Sequence, residues 1–467
     1  MMDVESFDTA LLRTTIGRAL RRGGDFAEVF VEDRESLGLR LEDGRIEQTS
    51  GGRESGAAVR LLAGERTYYA YSDAVDEAGL TAAADAVAAA VSSGVDGVSI
   101  VDLGAVLSAP EKHPVLTPPA EVGAADKAAL VRAGDEAARS VSGEIVQAVI
   151  GYGDTRQRVL IANSLGDLVY DDRTRTRFTA QVVARRGDVI QTGHEAVGGS
   201  AGLELVDEEG ARRVARTAAD KARIMLDSRP APVGAMPVVL GNGFGGTLFH
   251  EACGHGLEAD AVAKGASIYA GKMGAVVAAP IVSAYDEGSI TNGWGSQAFD
   301  DEGVPTQKTL VIEEGRLAGY LYDRLRAGEA GAAPTGNGRR QSYRHIPIPR
   351  MTTTYIAPGR STPEEIIAAT RRGFYAKSLA GGQVEPASGN FVFGVAEGYL
   401  IEDGRITAPL RGATLVGNGI DILMKIDMIA GDFDVKTGIC GKDGQGVPVG
   451  TGQATLRIAE MTVGGTG

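Results

Sequence analysis

The residues best equipped for chemistry lie together in Phe249-His250-Glu251-Ala252-Cys253-Gly254-His255. Two imidazoles, with a carboxylate beside the first, are what a hydrolytic metal site needs. The rings hold the ion, and the carboxylate, Glu251, takes a proton from metal-bound water. In the H-E-x-x-H arrangement the histidines stand four apart and share one helical face. Here they stand five apart. Five steps leave the rings roughly 140° apart on an ideal α-helix, so a regular helix cannot aim both at one ion. One extra residue wound into the turn, a π-bulge, brings them together, and such bulges favour functional sites. Gly254 is expected to make that distortion cheap. The expectation is a metal helix with an inserted residue.

A catalytic zinc site generally uses three protein ligands and keeps one position open. The remaining histidines are His113, His194 and His345. The stronger candidate for a third donor is Cys440, in Gly438-Ile439-Cys440-Gly441-Lys442, because a thiolate is a good zinc ligand. Cys253 competes on paper, lying roughly 60° around the helix from His250, although packing is its plainer role. Asp300-Asp301-Glu302 reads equally as a substrate-binding cluster or as solvated loop carboxylates. His345, and the basic residues Arg339, Arg340, Arg344 and Arg350, read as parts of a solvated loop. The run Gly241-Asn242-Gly243-Phe244-Gly245-Gly246 lacks the Lys-Ser/Thr ending of a phosphate loop. Its expected job is close backbone approach, to the metal helix or to a peptide strand.

These groups need a scaffold to position them. Apolar spacing predicts helices over 7–22, 75–91, 121–142 and 207–226. Alternating segments predict strands at 27–32, 37–41 and 57–62, then at 145–151, 157–162, 167–170 and 176–185. Glu42-Asp43-Gly44-Arg45 has hairpin chemistry, and Asn163-Ser164-Leu165-Gly166 reads as a turn. Met236–Leu240 reads as a short buried strand feeding the glycine run. Further strands follow at 281–286, 309–313 and 317–321, and a capped helix at 363–373. The fold class is therefore α+β: helix–β-meander–helix units, then a mostly β C-terminal domain carrying the metal helix. The expected division is 1–95, a linker at 96–120, a second unit at 121–228, and the C-terminal domain at 229–467.

Composition excludes several classes. The 467 residues suffice for two or three domains, and 66 glycines are about twice the usual ~7% share, favouring turns and close backbone contacts. A net charge of −14 argues against nucleic acid as the partner. No run approaches the ~20 apolar residues of a membrane span. Met1–Ser6 is acidic and has no signal-peptide core. Two cysteines make no disulfide framework. Together these point to the cytoplasm.

Three separated motifs, in order, resemble the TldD/PmbA metallopeptidases: His250-Glu251-Ala252-Cys253-Gly254-His255, Phe299-Asp300-Asp301-Glu302-Gly303-Val304-Pro305-Thr306, and Cys440-Gly441-Lys442-Asp443-Gly444-Gln445-Gly446-Val447-Pro448-Val449-Gly450. The ends Leu456-Arg457-Ile458 and Thr462-Val463-Gly464-Gly465 match too. The resemblance is loose over the whole chain and close over 236–467. It implies Zn2+ held by His250, His255 and Cys440, with Glu251 as the catalytic base. It implies a catalytic subunit acting as a homodimer, or as a heterodimer with a related subunit lacking the metal motif. The implied substrate is unfolded peptide, bound as an extended strand with little sequence preference, and in some members a leader peptide of a ribosomally made product. Alternatives are an amidohydrolase acting on a small natural product, and a regulatory or peptide-holding subunit such as a gyrase modulator.

Overall fold

The computed structural model describes residues 7–91, 102–108 and 113–465. The acidic start, Met1–Ser6, lies outside them, as do 96–101 and 109–112 of the expected linker.

The N-terminal part is one sheet with helices on one face. Helices α1 (Thr9–Ala19) and α2 (Glu77–Ala90) flank strands β1 (Phe26–Glu42), β2 (Arg45–Ala63) and β3 (Arg66–Ser72). The pattern recurs with α3 (Ala124–Ser140), β4 (Ile145–Asn163), β5 (Leu168–Arg186), β6 (Val189–Gly199) and α4 (Glu208–Met225). β1 pairs antiparallel with β4, so both meanders form one continuous sheet. The turn between β1 and β2 places Asp43 and Gly44 at φ 48° and 77°, as a two-residue hairpin requires. Strands expected as separate pieces run unbroken. Gly151 and Gly153, which look like breaks, sit in β4 with a neighbour on each side, and that pairing keeps them extended. β3 and β6 were not anticipated.

Side-chain alternation divides this sheet into two faces. Val29 and Val31 pack under α1 and α2, and Leu39 and Leu41 pack under α3 and α4. The opposite pleat turns Glu28, Phe30 and Glu32 toward the C-terminal part, where all three are fully buried. Charged residues from the C-terminal part meet them there. Arg340 pairs with Glu28, Arg60 with Glu302, and Arg173 with Asp301 at 2.5 Å. Two expectations are corrected here. Asp300, Asp301 and Glu302 are not solvated, being at most 3% exposed, and Arg339, Arg340 and Arg350 are equally buried. Each of these motifs finds its partners in the other half of the molecule or on distant loops, so a local reading sees only charge. Such networks gain little net stability over apolar packing, but breaking one partner is costly, which fixes the two layers in register.

The C-terminal part is built on two large sheets, with a small ribbon pairing Gly338–Arg339 and Ile348–Pro349 beside them. In the first, β7 (Gly234–Leu240), β11 (Arg372–Glu385), β12 (Asn390–Glu402), β13 (Thr414–Asn418) and β16 (Leu456–Gly464) pair in the order β11-β7-β16-β13-β12. β11 also pairs with β12, which closes the ring. In the second sheet, β8 (Ala284–Glu287), β9 (Lys308–Glu313), β10 (Thr353–Ile356), β14 (Asp434–Lys442) and β15 (Gln445–Gln453) run in the order β9-β8-β10-β15-β14. The motif helix lies between the two sheets, with Leu248, Phe249, Ala252 and Leu257 in their shared core. The helix expected at 363–373 ends at Ala368, opened by a Thr362–Glu365 capping box. Among the described residues no helix is long and apolar enough to cross a membrane.

Candidate metal centre

β7 delivers the chain to the glycine run, and the run turns it into the motif helix. Here the glycines serve close approach. A Cβ on Gly246 would lie 2.6 Å from the Gly452 carbonyl oxygen, and one on Gly241 would lie 2.8 Å from that of Lys377. The helix starts against β15 because no side chain stands between the two backbones.

Residues Gly246–Phe249 are α-helical, and His250–Gly254 then form a π-helical turn. The N–H of His255 reaches back five residues to the His250 carbonyl. This is the inserted residue the five-residue spacing requires, and the ring centroids come to 5.3 Å of each other. Gly254 has a different role from the one expected. Its φ of −56° and ψ of −49° are ordinary helical values, so conformational freedom is not what it supplies. It supplies space: a Cβ there would lie 2.2 Å from the Met351 sulfur.

Cys440 arrives from the other side on β14. The pleat sends Ile439 outward and Cys440 inward, 56% and 4% exposed. Its Sγ lies 3.4 Å from His255 Nε2. The donor atoms of His250, His255 and Cys440 all lie within 4.8 Å of one another. Arg350 Nη2 donates to the Cys440 carbonyl at 2.6 Å, so the buried arginine row holds this strand in place.

The surrounding groups orient both rings. His250 Nδ1 meets Thr354 Oγ1 at 3.0 Å, and His255 Nδ1 meets Glu258 Oε2 at 2.9 Å. Glu258 in turn accepts from Lys442 Nζ at 3.0 Å, and Lys442 also reaches Asp260 at 2.7 Å. With each Nδ1 occupied, both Nε2 atoms face the shared space. That of His250 is buried and, among the described residues, has no hydrogen-bond partner. An orphaned imidazole nitrogen beside a second imidazole and a thiol is what an ion would satisfy, and carboxylate–histidine pairs commonly orient metal ligands. The residues present therefore fit a metal.

Electrostatics favour the ligating form of the thiol. Burial would raise the Cys440 pKa, but the two imidazoles beside it, His250 and His255, outweigh burial and bring the thiol down to about 5. Burial opposes charge on His255 as well, yet the Glu258 carboxylate prevails and raises the imidazole to about 11. Burial likewise opposes ionised Glu258, but His255 and Lys442 hold it down to about 2. Glu251 is a third exposed, with Oε2 3.7 Å from His255 Nε2. It faces a cleft of about 460 Å³ lined also by Gln383, Val384, Pro386, Gly441 and Lys442.

The other candidates lie elsewhere. Cys253 is fully buried in the core beside Tyr269, and burial pushes its thiol up to about 12. His113 accepts from the Asn292 N–H, His194 sits on β6, and His345 meets Ser342. Thr354, Glu258 and Lys442 join the site without a role expected from the sequence. Two of them leave a sequence signal: Glu258 follows His255 by three residues, and Lys442 follows Cys440 by two on one strand, hence on the same face. Thr354 leaves none.

Comparison with known proteins identifies the family. The three PmbA/TldA metallopeptidase domain models match in order: domain 1 at 27–91, the central domain at 117–226 and the C-terminal domain at 233–465. The chain belongs to the PmbA/TldD metallopeptidase family. It is 39% identical to the metalloprotease TldD homolog of Haemophilus influenzae, covering 95% of this chain and 94% of that one. A metalloprotease of Methanothermobacter thermautotrophicus is 34% identical, covering 95% and 96%. Among solved structures, a protein described as a putative modulator of a DNA gyrase from Thermotoga maritima superposes with TM-score 0.79 at 22% identity, covering 94% of this chain and 96% of that one. TldE of Thermococcus kodakarensis does so with TM-score 0.76 at 21%, covering 98% and 99%. These two share the fold.

Proposed function

We propose that this protein is a zinc-dependent peptidase that cleaves unfolded peptides with little sequence preference. The convergence of His250, His255 and Cys440 carries the reading. Two imidazoles and a thiolate suit zinc better than iron or manganese. Held by the three protein donors found among the described residues, a tetrahedral ion would keep a fourth position for water or substrate, as catalytic rather than closed structural sites do. Zinc, when bound, supplies Lewis acidity, lowering the pKa of water to about 7 and polarising a carbonyl. Glu251 Oε2 takes the proton of the attacking water and later returns it to the leaving amine nitrogen. Glu258 and Thr354 hold the two rings in register throughout.

The substrate reading rests on the cleft and on β14. That strand lies at the edge of its sheet, and its end at Gly441 and Lys442 lines the cleft. An extended peptide added along such an edge gains main-chain hydrogen bonds whatever its side chains are. The reading includes a dimer, of two identical chains or with a related subunit lacking the metal motif, that encloses the cleft. It also includes the cytoplasm, where the Cys440 thiol stays reduced.

The test combines metal analysis with hydrolysis of a mixture of unstructured peptides. Glu251→Gln is expected to keep its zinc and lose about 10²-fold or more in rate. His255→Ala and Cys440→Ser are expected to lose the metal. Full hydrolysis by Glu251→Gln would refute the base, and unchanged zinc in both ligand variants would refute the ligand set. Cleavage of small amides but of no peptide would favour the amidohydrolase instead.

A further inference from the structure

A second polar cavity, of about 230 Å³, lies between the N-terminal sheet and the β14–β15 hairpin. Its walls include Ile439, which points away from Cys440 across β14, so it sits behind the metal centre rather than in it. Five arginines line it (Arg34, Arg173, Arg175, Arg339 and Arg340) with the single carboxylate of Asp301. Three of the five have acidic partners: Arg34 meets Glu54, Arg173 meets Asp171 and Asp301, and Arg340 meets Glu28.

Arg175 and Arg339 have none. Both are buried, at 7% and 1% exposed, and among the described residues neither is in salt-bridge contact with a carboxylate. Arg339 donates to the Met351 and Pro448 carbonyls. Among the described residues Arg175 makes long contacts, to the Trp294 and Ser296 carbonyls at 3.3 Å and to Gln297 Oε1 at 3.4 Å. Gln297, 3% exposed and also lining the cavity, leaves its Nε2 donor unsatisfied. A buried cation without a counter-charge is costly, and an unmet amide donor adds to that cost.

We propose that this cavity binds a compact oxyanion, of the phosphate or carboxylate class, on Arg175, Arg339 and the Gln297 amide. Guanidinium groups bind such oxygens with strong, charge-assisted hydrogen bonds. Burial, followed by the like charges of Arg173 and Arg339, brings Arg175 down to about 9, and burial brings Arg339 down to about 10. The anion has two available sources, free phosphate and the C-terminal carboxylate of a peptide. Because Val447 and Pro448 of this wall pair with Cys440 and Ile439, occupancy braces the strand that carries the thiol.

The test is calorimetric titration of the metal-loaded protein with inorganic phosphate, and with one short peptide ending in either a free carboxylate or an amide. Equal ionic strength is kept with chloride. Saturable binding of phosphate, or of the free-acid peptide over its amide, is expected, and which of them binds identifies the source. Arg175→Gln should weaken that binding about tenfold or more, the loss of one charge-assisted hydrogen bond. In phosphate-free buffer the same variant should melt no lower than the parent, because it removes an unpaired buried charge. Gln297→Met, which keeps the shape without the amide donor, should weaken binding in the same direction and stands in if Arg175→Gln fails to fold. Absence of binding by all probes at millimolar concentration overturns the proposal, as does unchanged affinity in both variants.

Discussion

Replacing Glu258 by glutamine tests how the centre holds its metal. The carboxylate is 1% exposed, lies 2.9 Å from His255 Nδ1 and is held ionised by His255 and Lys442. Glutamine keeps its outline and removes its charge, while Lys442 retains Asp260 at 2.7 Å. Changing the partner that orients a metal-ligating histidine generally costs 10–100-fold in metal affinity, or about 1.4–2.7 kcal/mol. Thr354→Val provides the calibration. It removes a neutral hydroxyl 3.0 Å from His250, a bond contributing about 0.5–1.5 kcal/mol, or roughly 2–13-fold. The assay is zinc competition against a chromophoric chelator, with circular dichroism to establish that each variant is folded. Glu258→Gln should weaken zinc binding by up to about a further tenfold relative to Thr354→Val. Equal losses, or the reverse order, would refute the claim that a charged carboxylate sets the basicity of the His255 ring.

Two further outcomes are expected. Gly254→Ala drives a methyl group into Met351, so it should destabilise the protein by about 1–3 kcal/mol and lower its zinc content, and adding Met351→Ala should recover part of both, as read by thermal melts and metal analysis. Asp323 caps the helix Arg324–Ala330, and burial, with Glu302 nearby, raises its carboxyl from 3.8 to about 7. The folded state therefore binds more protons than the unfolded one between about pH 4 and 7, and this carboxyl's contribution to stability is lost as pH rises through that window. Asp323→Asn keeps a capping oxygen, so its stability relative to the parent should rise across the window in denaturant titrations; a constant difference would contradict the assignment.

Local physics fixed much of what was legible in the chain. The five-residue separation of His250 and His255 demanded an extra residue in the turn, because helical geometry admits few other ways to aim two rings at one point. Apolar periodicity located α1 to α4, and Asp43-Gly44 located its hairpin, since these signals arise within a few residues. Cys440 stood out by type alone. Its inward aim follows from the pleat of β14, which the glycines around it had hidden.

Tertiary structure decided whatever depended on partners far along the chain. Glu28, Glu302 and Arg340 carry no local sign that they meet in the interior, because a charge patterned for solvent and a charge patterned for a distant counter-charge look alike in sequence. Gly254 looked like a flexible joint and proved to be a gap kept open for Met351. The ring-orienting contacts of Thr354 and Glu258 belong to the same class. Helical pitch and residue type are local and can be read in order, whereas burial, counter-charge and free space exist only once the two sheets have closed around the motif helix.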